Sequence, residues 1–130
     1  MRDDRFEAWN ETRGTALALR ARRASSVSSR LRGLLGEASF EPGDGLHIVP
    51  CNSIHTFFMR FPIDVLFLDA HGKAIRALQD IPPWRATRIH LAARTVLELP
   101  AGTLRSTGTL AGDSIALRAR SDLACAPAIR

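Results

Sequence analysis

IDVLFLD, residues 63–69, decides how this chain folds. Apart from Asp64, both alternating sets of side chains are apolar, whereas a strand with one wet face alternates apolar and polar. The stretch therefore reads as a central strand covered on both sides. Downstream, Ala70, His71 and Gly72 supply a hairpin connection, and KAIRALQ (73–79) returns as a second strand with Arg76 and Gln79 at more exposed positions. IPPW (81–84) stops it, because prolines cannot donate to a ladder, and Trp84 is expected to cap one end of a barrel or sandwich. RTVLEL (94–99) is another strand, with Glu98 its solvent-facing acid, followed by a short turn or helix near 103–106. Gly112 and Asp113 then turn the chain into a last strand at 114–118, with Asp113 bonding its own backbone.

Upstream, LHIV (46–49) is a short strand ended by Pro50, preceded by the turn EPGDG (41–45). In SSVSSRLRGLLG (25–36), Val27, Leu31, Leu34 and Leu35 fall on one helical stripe, so this segment is expected to be an amphipathic helix. TALALRAR (15–22) reads as a half-buried strand with Leu17, Leu19 and Ala21 on one side. Residues 1–13 are polar and aperiodic except for Phe6 and Trp9, and read as a leader whose aromatics dock on the body; residues 119–130 read as a frayed tail. Residues 14–118 then form one domain. Its expected fold is mainly β, a compact antiparallel sandwich or small barrel with one short amphipathic helix.

At 130 residues the chain can bury a single core without disulfides. Hydrophobic residues make up 45% and charged residues 24%, which excludes a disordered or fibrous class. The net charge of +5 comes from seventeen arginines and one lysine. Guanidinium forks suit phosphate, but the arginines are spread along the chain and the densest run has no aromatic residue, so the pattern disfavours nucleic acid as a partner. No apolar run approaches the length of about 20 residues that spans a bilayer, so no membrane role is expected. Cys51 and Cys125 are far apart and no apolar leader precedes them, which fits free thiols in a cytoplasmic setting.

The chemistry-bearing residues concentrate just before the central strand, in PCNSIHTFFMRFPIDVLFLD, residues 50–69. Cys51 and His55 could act as nucleophile and base, with Asn52, Thr56 or Asp64 orienting the imidazole, if the fold brings them within hydrogen-bond reach. His47, Cys51 and His55 recur every four residues, a spacing considered for zinc, but Pro50 and the turn at Asn52 break both a helix and a strand through them, so no metal site is expected. Asp64 must find hydrogen-bond partners in its apolar strand, and Arg60 or backbone amides are the candidates. If these groups line a cavity, FFMRF forms its apolar wall and Asn52, His55, Thr56, Arg60, Asp64 and Trp84 its ligand contacts. The bland alternative places the phenylalanines in the core.

RLRGLLG (30–36), the 50–69 stretch, TVLELPAGT (95–103) and GTLAGDSI (108–115), taken in order, resemble domain of unknown function family 192, small domains of bacteria and archaea. The resemblance spans about residues 13–118 and implies a single mainly β domain, similar to jelly-roll-like sandwiches, with the RLRGLLG helix lying against it. It implies no activity, cofactor or catalytic residue. Some members look like exported proteins with signal peptides, from which this sequence departs. The expectation is a non-catalytic module that binds a small molecule or a protein, without a cofactor. The alternative is a small enzyme using Cys51 and His55 for hydrolytic or thiol chemistry, with or without zinc.

Overall fold

The computed structural model describes residues 5–26, 34 and 37–119. Among the described residues seven strands run β1 (Phe6–Asn10), β2 (Thr15–Ala24), β3 (Asp44–Ile48), β4 (Ile63–Leu68), β5 (Ala74–Ile81), β6 (Thr95–Pro100) and β7 (Ile115–Ala119), with one short helix, α1 (Thr103–Thr107), between the last two. They form one sheet in the order β5-β4-β6-β3-β2-β1-β7, curled into a half-barrel. The chain is mainly β, as its punctuation and alternation lead one to expect. Neighbours are antiparallel except β2 and β3, which run parallel. The expected helix at 25–36 falls largely outside the described residues.

Every residue of β4 is buried, so the two-sided covering read from IDVLFLD holds. Leu66 and Leu68 face inward with Leu97, Leu99, Leu17, Ala18 and Phe6, while Ile63, Val65 and Phe67 face a second core built with Leu46, Ile48 and Val96. Loop residues Ile54, Met59 and Ala93 close that second core from outside the sheet. Each fully buried Leu or Phe contributes about 1.5–3 kcal/mol, so two cores sharing the β4 and β6 backbones make these strands the most costly to disturb.

The inner core is tight where β2 runs beside β3. A methyl group on Gly45 would meet the Cβ of Ala18 at 2.9 Å and crowd Ala21 and Leu99. Gly45→Ala is expected to cost about 1–3 kcal/mol by overpacking, measured as a lower denaturant midpoint.

Three expectations need correction. Residues 6–10 are not a leader but strand β1, which lies between β2 and β7. Phe6, Ala8 and Asn10 alternate inward along it, and the buried Asn10 Nδ2 donates to Thr109 Oγ1 and Asp113 Oδ2, both at 2.9 Å. Asp113 thus holds two separate segments, since it also accepts from Arg13 Nε at 3.1 Å and Leu110 N at 3.0 Å. Leu19 does not share the buried side with Leu17 and Ala21: irregular pairing with β1 shifts the alternation, and Leu19 is 41% exposed. Glu98 is buried, because β6 is covered on both faces. Ala119 closes β7, and the residues after it lie outside the described set.

The outermost strands β5 and β7 meet at one end, where Lys73 bridges Ser114, Ala74 N–H donates to Asp113 O at 2.8 Å and Ile115 N–H to Gly72 O at 2.9 Å. That contact removes much of the exposed ladder an open sheet would present. At the opposite end of β5, the loops 50–61 and 82–93 pair with each other.

Candidate functional site

Thr56 ties these loops together. It is fully buried; its N–H donates to Arg85 O at 2.7 Å, its hydroxyl donates to Pro82 O at 2.7 Å and accepts from Arg85 N at 2.9 Å, and its carbonyl accepts from Trp84 N at 3.0 Å. His55 forms a bridge with Ala86 beside it. With the backbones locked, the side chains on either side of Thr56 turn outward. The His55 imidazole stacks on Phe57 at 5.1 Å, Phe57 lies 6.1 Å from Trp84, and Phe58 meets Trp84 edge to face at 4.6 Å. Phe57, Phe58 and Trp84 are 38%, 70% and 56% exposed. The result is an aromatic platform on the surface: of FFMRF, Phe57 and Phe58 leave the core, while Met59 is buried in the second core and Phe61 packs against it.

Backbone geometry marks the same place. Among the described residues the non-glycine positions with positive φ are Phe58 (67°), Asp80 (56°) and Trp84 (68°). Bulky residues avoid this region, at a cost on the order of 1–3 kcal/mol, unless the surroundings impose it. Two of the three carry the platform, and Asp80 stands on the rim of the neighbouring hollow.

That hollow is an open cleft of about 680 Å³ between the end of β5 and the 82–90 segment, lined by Arg76, Asp80, Arg85, Arg88 and His90 among others. Arg85 and Pro82, which Thr56 anchors, form part of its wall, so cleft and platform share one loop. His90 packs its ring on Phe67 at 4.2 Å, and burial, with the charges of Arg76 and Arg88, holds its pKa below the usual histidine range. Its Nε2 is buried and has no partner among the described residues.

Asp64 does not face the platform. Its carboxylate points to the inner side of the sheet and accepts three backbone N–H bonds, from Asp80 at 2.8 Å, Gly102 at 3.1 Å and Leu104 at 2.9 Å. Gly102, the residue before α1, has no side chain to satisfy the first turn, so Asp64 does so from β4. Of the two partners considered for it, the backbone amides are found; Arg60 is exposed and has no hydrogen bond or ion pair among the described residues.

Cys51 and His55 have separate surroundings. Cys51 Sγ donates to Ser53 O at 3.0 Å and lines a shallow hollow with Pro50, Asn52, Ala93 and Arg94, whereas His55 Nδ1 accepts from Phe57 N at 3.3 Å. The carbonyl of Asn52 accepts from His90 N at 2.9 Å, which fixes the far end of the cleft loop. His47 lies in β3, buried against the edge of Phe6 at 6.0 Å, and no group of three His, Cys, Asp or Glu residues able to hold a metal occurs among the described residues. Among the residues singled out in the sequence, His55, Thr56 and Trp84 therefore come together. Cys51 and Asn52 sit at the separate shallow hollow beside Ala93 and Arg94, and Asp64 lies on the other side of β4.

Arg85, Arg88 and His90 carry no motif in the sequence, and Arg76 stands out there only as an exposed position of its strand. The signal available was the basic run WRATRIH (84–90), but periodicity does not say that β5 would add Arg76 opposite it. No helix among the described residues is long and apolar enough to cross a membrane.

Among known proteins, the chain is 30% identical over 111 residues to a UPF0127 protein of Thermococcus kodakarensis, covering 82% of this chain and 69% of that one. It is 31% identical over 111 residues to a UPF0127 protein of Thermococcus sibiricus, covering 82% and 71%. Its fold is similar to the crystal structure of a protein of unknown function from Novosphingobium aromaticivorans, with a TM-score of 0.74, 14% identity and coverage of 86% of this chain and 83% of the other. It is also similar to a Sinorhizobium meliloti protein whose assignment as a transcription regulator is itself provisional, with a TM-score of 0.73, 23% identity and coverage of 87% and 92%. Residues 8–117 match the family model described as uncharacterized ACR, and the chain belongs to that family, domain of unknown function 192.

Proposed function

We propose that this domain is a non-catalytic binding module that stacks the flat, apolar part of a small ligand on the platform of His55, Phe57, Phe58 and Trp84. The observation that carries this reading is the pair of large aromatic residues held outward in left-handed backbone conformations. Such strain persists where surrounding structure enforces it, and here Thr56 does so. The other tryptophan provides the contrast: Trp9 Nε1 donates to Glu7 at 2.8 Å and its ring is covered by Arg118 at 5.4 Å, a satisfied side chain. Trp84 is 56% exposed, contacts the rings of Phe57 and Phe58, and has no partner for its indole N–H among the described residues. The Cys51 and His55 enzyme has no comparable support, since each of those side chains is engaged elsewhere.

Two neutral planar probes, adenosine and indole, test the reading. In 15N-labelled protein the Trp84 indole N–H resonance, assigned through Trp84→Phe, is expected to shift saturably while that of Trp9 stays in place. A Trp84 signal that does not move at millimolar probe would remove the platform as a binding surface.

The stability of platform variants separates a functional from a structural role. Phe58→Gly relieves a left-handed backbone, worth about 1 kcal/mol, and loses one edge-to-face contact, worth about 0.5–1.5 kcal/mol. The net change is expected to stay within about 1 kcal/mol of zero in denaturant unfolding while probe binding is lost. A core phenylalanine such as Phe67 would cost about 3–5 kcal/mol on truncation.

A further inference from the structure

The cleft beside the platform is electrostatically incomplete. Elsewhere on the surface Arg13, Arg20, Arg22 and Arg118 each pair with a carboxylate, Asp113, Asp44, Glu37 and Glu11 respectively, while Arg23, Arg60, Arg94 and Arg105 have no carboxylate partner among the described residues but do not line this cleft. Arg76, Arg85 and Arg88 have no such partner among the described residues, although all three line one cleft. Arg85 spends one N–H on Trp84 O, at 3.4 Å, which leaves most of its fork available. The one acid in the lining, Asp80, has its backbone N–H fixed by Asp64, and no cation pairs with its side chain among the described residues. Three guanidinium groups against one carboxylate leave about two positive charges uncompensated. The imidazole of His90 adds a buried ring nitrogen without a partner in the same lining.

We infer that this cleft is a phosphate-binding subsite, and that together with the platform it takes a nucleoside phosphate, phosphoryl group among Arg76, Arg85 and Arg88 and base on the aromatic cluster. The inference rests on the platform reading above. A phosphate monoester carries about 1.5–2 negative charges near neutral pH, which matches the surplus, whereas a single carboxylate leaves one positive charge over. Planar guanidinium forks bind phosphate oxygens in pairs, and arginines arriving from both β5 and the 82–90 segment can approach the group from two sides. The volume of about 680 Å³ lies in the range of small-molecule sites. The shared loop gives the geometric link: Thr56 fixes Trp84 and Arg85 as adjacent residues, one on the platform and one in the cleft wall.

Calorimetric titration of the full chain at low salt with inorganic phosphate, adenosine and adenosine monophosphate separates the two subsites. Adenosine monophosphate is expected to bind at least ten-fold tighter than either fragment, and to weaken as salt is raised. Arg88→Gln is expected to weaken phosphate and adenosine monophosphate at least five-fold and to leave adenosine unchanged; Trp84→Ala is expected to weaken adenosine and adenosine monophosphate and to leave phosphate unchanged. Both positions are exposed, so the fold should survive, as circular dichroism will show. If phosphate does not bind, or binds equally well to Arg88→Gln and Arg76→Gln, the cleft assignment falls while adenosine binding still supports the platform. If phosphate binds but adenosine does not, the platform falls and with it the nucleoside part of the inference. If adenosine monophosphate binds no tighter than phosphate, the two subsites do not serve one ligand and the inference fails.

Discussion

Asp64→Ala is expected to lower the free energy of unfolding by about 3–5 kcal/mol, the cost of stranding several buried backbone donors at once. The carboxylate has 0% exposure and is the acceptor for Asp80 N–H, Gly102 N–H and Leu104 N–H. Each orphaned donor costs about 1–3 kcal/mol, reduced where water can enter the space vacated. Asp64→Asn keeps the shape and one acceptor oxygen but turns an amide N–H₂ toward a donor, so it is expected to fall between parent and alanine. Urea unfolding of the three proteins checks the order, and an alanine variant within about 1 kcal/mol of the parent would contradict the bonding described. A second readout follows from position. Asp64 Oδ1 holds the residue whose positive φ shapes the cleft rim, so adenosine monophosphate should bind Asp64→Asn more weakly while adenosine alone does not.

Asp64 also shows how much of the molecule was legible in its sequence. An acid inside IDVLFLD had to be satisfied by something, and backbone amides were one of two candidates; that choice depends on residues 80, 102 and 104, which the topology of β4, β5 and β6 delivers. The strands were readable because alternation and turn residues act locally. Strand β1 was not, since FEAWN lies among charged residues and its inward set, Phe6, Ala8 and Asn10, includes a polar member whose partners are about a hundred positions away. Glu98 misled for a related reason. An isolated acid on a strand normally faces water, but this face of β6 is covered in part by loop residues such as Ile54, Met59 and Ala93, which leave no periodic trace. At the site the failure runs the other way. Phe57 and Phe58 read as core by hydrophobicity, and only the Thr56 bonds to residues 82–85 turn them outward.

Glu98 and His47 give the protein an unusual pH profile. Burial, only partly offset by the charge of Arg22, pushes the Glu98 carboxyl up to about 8, so it stays protonated in the folded chain at neutral pH. Burial, with a smaller contribution from Arg23, lowers His47 to about 4, so that ring stays neutral, both nitrogens without a partner among the described residues. Between about pH 4.5 and 6.5 unfolding takes up a proton at His47 and releases one at Glu98. These two slopes, each about 1.4 kcal/mol per pH unit and opposite in sign, cancel, and His90, also held below the usual histidine range, leaves a net rise of stability with pH. Above pH 6.5 unfolding only releases the Glu98 proton, so stability falls by about 2 kcal/mol by pH 8. Below pH 4.5 the Glu98 slope vanishes, and His47, with the Asp69 and Asp113 carboxyls that are held below their usual range, makes stability fall as pH falls. Glu98→Gln keeps the shape of the protonated acid and removes its titration. Its stability is expected to rise by at least about 3 kcal/mol from pH 4 to 6.5 and then level off, exceeding the parent at pH 8 by about 3–5 kcal/mol. Urea midpoints at fixed ionic strength from pH 4 to 9 measure both curves, and their difference isolates Glu98 from every other titrating group. A difference that does not grow with pH between 4.5 and 8 would mean that this carboxyl is ionised where it lies, against its burial beside Val65 and Leu46.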